Sequence, residues 1–436
     1  MAYINKVKSV YDRISKYIVR TPLQYNEGLS TRYNANIYLK REDTQVVRSF
    51  KNRGALNKIL LSESNEIVCA SAGNHAQGVA YSCNTLGYSG DIFLPTITPL
   101  QKISRIEHFS NNSCKLHLIG NNFDETLEHA LEYANKHNKT FVHPYNDTDV
   151  IDGQATIAHE IIEQLKEINV GSPQFIMTAI GGGGLISGTG QYFQEALPDT
   201  RIIGVEPEFC ASMQTALRAG KLVTIENIDD NFVDGASVKR VGEVTFDICK
   251  NTLHLDPNNI LTVPNGRICE EIIRLHQYDG IVVEPAGALP IASLDQLLQF
   301  SANTSHTSHT SPQQQPIIVC IVSGGNNDIT RYPEFMEKSM KFQNRRHYYL
   351  VRFNQRPGEL KRFINNVIGG TDDIIRFEYN KKTNKNYEDV LMGIDFIQEE
   401  DTYTFNLKLD KLGFQYHKVN ESEANGNNQL YNFLLD

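Results

Sequence analysis

Residues 174–188 read QFIMTAIGGGGLISG, and this stretch decides the class of fold. Phe175 to Ile180 is a short, continuous apolar run, as expected of a strand buried on both faces. Gly181, Gly182, Gly183 and Gly184 follow without a break, and a helical pattern opens at Leu185. Such a turn from strand into helix lets backbone N–H groups close around a phosphate, with the helix dipole behind them. A tight turn is the plainer reading, but a strand-to-helix junction rarely needs four glycines in succession. The run is not a dinucleotide fingerprint. Starting GxGxxG at Gly181 or Gly182 puts Ile186 or Ser187 at the last glycine position, and there is no GxxxxGK[ST] loop.

Outward from this turn the same alternation recurs. Short apolar, β-branched runs stand at Asn36–Lys40, Ile67–Ala70, Asp91–Leu94, Lys115–Ile119, Arg201–Glu206 and Ile317–Ser323. Amphipathic stretches such as Thr126–Lys136 and Ile151–Lys166 lie between them. The pattern predicts α/β layers with largely parallel strands, whose ligand sites fall at the carboxyl ends of strands. Ser301–Pro316 (SANTSHTSHTSPQQQP) interrupts it. Its two histidines have no Cys or carboxylate beside them, so it reads as a polar surface insertion rather than a metal site. After about Arg345, a strand at Tyr348–Phe353 precedes a turn and a helical face of Leu360, Phe363, Ile364 and Val367. Alternating Ile375, Phe377 and Tyr379 and a further ordered segment at Val390–Ile394 complete a β-α-β start, which suggests a small ferredoxin-like domain.

Composition sets outer limits. At about 150 residues per domain, 436 residues imply roughly three units. The 40% hydrophobic and 21% charged fractions are those of an ordinary globular chain. A net charge of -9 disfavours binding driven by phosphate neutralisation, so no nucleic-acid partner is expected. No stretch approaches the roughly 20 apolar residues of a membrane helix. The first twenty residues are charged and amphipathic, without the apolar centre of a secretory signal. Seven cysteines, none in a CxxC pair, read as reduced core thiols, and a cytoplasmic location is the simplest expectation.

Three more segments carry chemistry. In Ser49-Phe50-Lys51-Asn52-Arg53-Gly54-Ala55, Lys51 opens a helical pattern beside an aromatic. A lysine partly buried at such a place has a depressed pKa and acts as a nucleophile, although most lysines are solvated surface charges. Ser71-Ala72-Gly73-Asn74-His75, after a strand, offers N–H groups and a hydroxyl to a carboxylate, or else simply caps the next helix. His75 reads as a base or, more plainly, as a satisfied histidine in a first helical turn. Ser323-Gly324-Gly325-Asn326 and Val283-Glu284-Pro285-Ala286-Gly287-Ala288 also sit at element ends, where Ser323 either bonds a ligand heteroatom or caps a helix.

In order, SFKxRGA, SAGNHAQG, GGGGLISG, VEPAGA and SGGN resemble the fold-type-II pyridoxal-phosphate enzymes, and more narrowly the biosynthetic threonine dehydratases. The resemblance covers nearly the whole chain, including Lys40-Arg41-Glu42-Asp43, Gly204-Val205-Glu206-Pro207 and Asp234-Gly235-Ala236. It implies two open twisted α/β domains of the tryptophan synthase β type, with pyridoxal 5'-phosphate between them. Residues 1–41 and 150–330 would form the large domain and 42–149 the inserted small one. Residues 331–345 would link these to a regulatory ACT-like domain at 346–436.

By the same resemblance, Lys51 holds the cofactor and moves protons at the substrate Cα. Phe50, the Gly235 region and Glu284 lie about its ring, Asn74 bonds its 3′-oxygen, and Gly181 to Leu185 cradle its phosphate. Ser71, Ala72, Gly73, Asn74 and His75 receive the substrate carboxylate, and Ser323 faces the pyridine nitrogen. The implied reaction turns L-threonine into 2-oxobutanoate and ammonia, the first committed step of isoleucine biosynthesis, with L-serine as a slower substrate. Two departures stand out. Related serine racemases hold a divalent cation with the Glu of GVEP, a carbonyl four residues on and an Asp two further; here Glu206 and Cys210 are followed by Ser212, so no metal is expected. Asn52 fills a position that is commonly apolar in the family.

The Arg356–Leu360 turn (RPGEL) matches the loop before the first helix of regulatory domains that bind amino acids, which implies isoleucine feedback and a homodimer or homotetramer. The competing readings are a catabolic serine/threonine dehydratase or serine racemase of the same fold, and a non-catalytic amino-acid sensor. Retention of both Lys51 and the glycine run argues against the last.

Overall fold

A computed structural model describes residues 2–226, 232–304, 315–379 and 386–419. The chain divides into two compact units between Arg331 and Tyr332.

The first unit holds two sheets. The larger runs in the order Leu23–Tyr25, Asn36–Arg41, Ile317–Val322, Phe175–Ala179, Arg201–Pro207 and Ile260–Val263. Only its first pairing is antiparallel. Ile317–Val322 and Phe175–Ala179 are buried at every residue, which is why both read as unbroken apolar runs rather than alternating ones. Val319 and Ile321 pack with Ile157, Ile161 and Phe193 from two covering helices, Thr148–Glu167 and Gly184–Ala196. The smaller sheet is wholly parallel, in the order Cys114–Leu118, Ser89–Leu94, Glu66–Ala70 and Thr140–Phe141. Its core joins Ile67, Cys69, Ile92 and Leu94 to Val79 and Ala80 of the helix Asn74–Leu86.

Two glycines fix how the helix beginning at Lys51 crosses the long helix Thr148–Glu167. A Cβ on Gly153 would lie 2.5 Å from the Gly54 Cα, and one on Gly54 would lie 2.7 Å from the Val150 carbonyl oxygen. Only a pair of residues without side chains permits that approach, and it places the Lys51 end of the shorter helix.

In the second unit, Arg346–Asn354, helix Glu359–Asn366, Asp373–Glu378, Tyr387–Asp395, helix Glu399–Lys411 and Gln415–Val419 follow one another as βαββαβ. The sheet is antiparallel, in the order Asp373–Glu378, Tyr387–Asp395, Arg346–Asn354 and Gln415–Val419. Tyr349, Val351, Phe353, Val390, Met392 and Ile394 form one face of it and pack against Phe363, Phe405 and Leu409 of the helices. This is the ferredoxin-like arrangement expected from the sequence. The stretch 331–345, expected to be a linker, carries the helix Tyr332–Phe342, which falls with the second unit. Of the polar insertion at 301–316, the helix Leu294–Thr304 takes the first residues, and 305–314 lie outside the described residues, as do 420–436 of the regulatory segment.

Candidate active site

Ser49 and Phe50 are stitched to the end of the strand Ile317–Val322. Ser49 bridges Gly324, and the Phe50 N–H donates to the Ser323 carbonyl at 3.1 Å. Lys51 then opens the helix Lys51–Leu60. Its Nζ donates to the Pro144 carbonyl at 2.9 Å and stands 5.3 Å from the centre of the Phe50 ring. Burial drives the ammonium down to about 8, against the opposing pull of the Glu284 carboxylate. A nucleophilic amine near neutrality is the consequence.

Two residues beyond Lys51, Arg53 is fully buried and anchors the helix. Its guanidinium donates to Glu42 twice at 2.8 Å and to Glu160 at 2.8 and 2.9 Å. Lys40, equally buried, donates to Glu160 at 2.6 Å and to the Thr21 carbonyl at 2.8 Å. Burial pushes the Glu160 carboxyl up, but the two cations outweigh it and hold the group below its usual range. Two cations and two carboxylates thus balance with none of the four side chains exposed. In the sequence, Lys40-Arg41-Glu42-Asp43 and the Arg of SFKxRGA are motif letters without a role.

Across the cleft, the Asn74 amide donates to both Glu284 oxygens, at 2.8 and 3.0 Å, and its carbonyl accepts from Asn326 at 2.7 Å. Asn326 also donates to the Val47 carbonyl at 2.9 Å, so one amide ties the Lys51 segment to the Asn74 loop. Burial raises the Glu284 carboxyl above its ordinary value, and the Asn74 amide works the other way. A Cβ on Gly235 would touch the Ala286 Cβ at 3.0 Å and come 3.7 Å from Glu284, so the Gly235 region does flank this carboxylate. Ser71, Ala72, Gly73 and Asn74 are half-buried along the loop, where the Ser71 hydroxyl accepts from the Gly73 N–H at 3.2 Å.

The His75 side chain lies inside the small domain. Its ring is buried, Nε2 lies 2.9 Å from the Val142 carbonyl and Nδ1 has no partner among the described residues. Burial, with Lys51 nearby, drives it down to about 3. The imidazole is neutral and turned into the small domain's core, leaving only main chain for a ligand.

The glycine run wraps tightly. Gly183 has φ 93° and stands immediately before the helix Gly184–Ala196. A Cβ there would lie 2.8 Å from the Thr245 Oγ1 and 2.9 Å from the Met213 Cε. At Gly182 it would meet the Tyr145 ring at 2.2 Å, and at Gly181 the Gly235 carbonyl at 2.8 Å. Thr245 donates to the Gly182 carbonyl at 2.7 Å and so fixes the turn from below. Gly184 and Leu185 contribute the first free N–H groups of the helix. A cradle closed to any side chain, with N–H groups at a helix start, fits a phosphate.

Joining cradle and lysine is His143-Pro144-Tyr145-Asn146, a segment that belongs to none of the sequence motifs. The Tyr145 ring abuts the cradle, the Pro144 carbonyl meets Lys51, and Asn146 accepts from the Val244 N–H at 2.8 Å. His143 Nδ1 accepts from the Tyr145 and Asn146 N–H groups, and burial beside Lys51 drives the ring down to about 4. The available signal was four residues of mixed chemistry following the strand Thr140–Phe141.

Glu206 is fully buried and accepts from the Met213 and Gln214 N–H groups at 2.8 and 2.9 Å, capping the helix Ser212–Ala219. Among the described residues no three His, Cys, Asp or Glu side chains gather as a metal site, and no helix is long and apolar enough to cross a membrane.

Residues 14–308 match the model of the family described as pyridoxal-phosphate dependent enzyme, and 337–428 that of the C-terminal regulatory domain of threonine dehydratase. The chain is 44% identical to the biosynthetic L-threonine dehydratase of Halalkalibacterium halodurans over 96% of its own length and 95% of the relative's. It is 43% identical to that of Bacillus subtilis, over 96% of each. Among solved structures, processed threonine deaminase isoform 2 from Solanum lycopersicum superposes with a TM-score of 0.67 at 35% identity, over 78% of this chain and 87% of that one. Maize serine racemase superposes with a TM-score of 0.67 at 26% identity, over 78% and 98%.

Proposed function

The chain belongs to the pyridoxal-phosphate dependent enzyme family, and within it to the biosynthetic L-threonine dehydratases; it deaminates L-threonine to 2-oxobutanoate, and we propose that Lys51 is the residue on which the reaction turns. One observation carries this assignment: a lysine lowered to about 8 by burial, beside a glycine cradle that admits no side chain.

Bound pyridoxal phosphate supplies an electron sink conjugated to the substrate Cα. Lys51 would hold it through Nζ, and the same amine would serve as the base at the substrate Cα. Gly181, Gly182, Gly183, Gly184 and Leu185 would hold the phosphate by main-chain N–H groups. Phe50, Asn74 and Glu284 would border the ring, and Ser323 would offer its nitrogen a neutral hydroxyl, which cannot keep a proton there as a carboxylate would. Ser71, Ala72, Gly73 and Asn74, with the His75 main chain, receive the substrate carboxylate. Loss of the β-hydroxyl and hydrolysis of the resulting enamine give 2-oxobutanoate and ammonia, with L-serine the slower substrate. Seven free cysteines support a cytoplasmic enzyme, and we read it as a homodimer or homotetramer.

The small sheet takes all its strands from residues 66–141, and the larger sheet takes its strands from either side of them. This supports 42–149 as a domain inserted between 1–41 and 150–330. Residues 346–436 act as the regulatory domain, with isoleucine as effector. Its RPGEL turn is organised by Glu359, nearly fully buried, which accepts from Arg356 at 2.8 Å and from Arg362 at 2.9 Å. The test is an assay of 2-oxobutanoate release from threonine by wild type, Lys51→Ala and Glu359→Gln. Lys51→Ala should be colourless and inactive, and Glu359→Gln should keep its turnover while losing most isoleucine inhibition. An active Lys51→Ala overturns the catalytic assignment, and unchanged inhibition overturns the regulatory one.

A further inference from the structure

Gly90, in the strand Ser89–Leu94, leaves a space that two sulfur atoms share. A Cβ at Gly90 would lie 2.6 Å from the Cys114 Sγ and 3.2 Å from the Cys83 Sγ. The two thiols lie close enough for each to shift the other's ionisation. Cys83 is fully buried near the end of the helix Asn74–Leu86. Cys114 opens Cys114–Leu118, the edge strand of the small sheet, and is half-buried, with the Ser113 hydroxyl 3.6 Å from its sulfur.

The partners are unequal. The adjoining Cys83 thiol, together with Ser113, holds the Cys114 thiol below its ordinary value. The same contact and burial push Cys83 up. Burial raises both Cys249, to about 12, and Cys320. A more acidic, more accessible thiol touching a buried one is the arrangement of an oxidisable cysteine and its resolving partner.

We propose that Cys114 and Cys83 form a site of reversible oxidation by hydroperoxides. The Cys114 thiolate attacks the peroxide oxygen, the O–O bond breaks, and Cys114 becomes a sulfenic acid while hydroxide or alkoxide leaves with a proton. The Cys83 sulfur then attacks the Cys114 sulfur, the S–O bond breaks and water leaves. Two thiols and one hydroperoxide become one disulfide, one water and one water or alcohol; each sulfur gives up one electron and the peroxide takes both. The new bond fastens the end of the Asn74–Leu86 helix to the sheet edge through the space at Gly90.

The holoenzyme should be treated with hydrogen peroxide for graded times, alkylated, digested without reductant and mapped by mass spectrometry. The free Cys114 thiol should disappear about tenfold faster than that of Cys249. A peptide pair joined through Cys83 and Cys114, lacking two hydrogens, should appear in step and vanish on adding dithiothreitol. In Cys83→Ser, Cys114 should instead be trapped by dimedone as its sulfenic acid, with the cofactor absorbance confirming the fold. Recovery of both residues alkylated while other cysteines oxidise, or disulfides that join neither of them, overturns the proposal. The wild-type map decides this whether or not the variant folds.

Discussion

Lys51 meets the Pro144 carbonyl at 2.9 Å, and this contact joins the two halves of the site. Lys51 belongs to a helix fixed by buried charges; Pro144 belongs to the segment whose next residue, Tyr145, lies against the glycine cradle. The neutral carbonyl gives the ammonium a hydrogen bond without a compensating charge. Burial therefore dominates and the amine is held near 8.

The first prediction concerns cofactor capture. Only the unprotonated amine attacks an aldehyde, and lysine is unprotonated above its pKa. Stripped of cofactor, the protein should take up pyridoxal phosphate faster as pH rises from 6 to 9, with a midpoint near 8. Stopped-flow absorbance measures this, and a midpoint near the ordinary lysine value would sink the idea.

Gly183→Ala tests the cradle. An L-residue at φ 93° is strained by about 1–2 kcal/mol, and its methyl would press on Thr245 and Met213. Cofactor affinity should fall about tenfold or more while the circular dichroism stays native. Affinity equal to that of the wild type would remove the cradle from the phosphate's binding.

The glycine run and its strand were legible in the sequence because their chemistry is local: four residues without side chains have few other uses after a buried strand. Arg53 was not, because its partner Glu160 is 107 residues away and only the fold brings it near. The Pro144 carbonyl is main chain, and no residue letter announces where a carbonyl points. His75 was ambiguous since its ring direction depends on Val142, across the small domain. In the regulatory unit, Tyr403, Phe405, Leu407 and Leu409 alternate as a strand would, yet they lie in the helix Glu399–Lys411. Tyr403 and Leu407 are exposed there, while Phe405 and Leu409 face the core.

Removing Arg53 should be worse than removing an ordinary ion pair. Arg53→Ala strands Glu42 in a dry interior and leaves Glu160 with Lys40 alone, a loss of about 3–5 kcal/mol. Thermal denaturation should show a large drop in Tm, and Arg53→Lys should recover only part of it, because one ammonium cannot serve two carboxylates in bidentate geometry. A loss under about 1 kcal/mol, the range of surface pairs, would place the network in contact with water.

Glu206 makes the last prediction, and its sign runs opposite to that of a salt-bridged carboxylate. Burial raises it to about 7, with the Met213 and Gln214 N–H groups only partly offsetting the effect. The native state therefore holds a proton that the unfolded chain has released between the ordinary glutamate pKa and about 7. Stability from this group is present in full at lower pH and declines as pH rises through that window, by up to about 3 kcal/mol. Glu206→Gln keeps an acceptor for the helix N–H groups and cannot ionise. Denaturant melts at pH 5, 6 and 7 should show the wild type losing stability that the variant retains, and parallel pH profiles would show that Glu206 is already ionised in the folded chain.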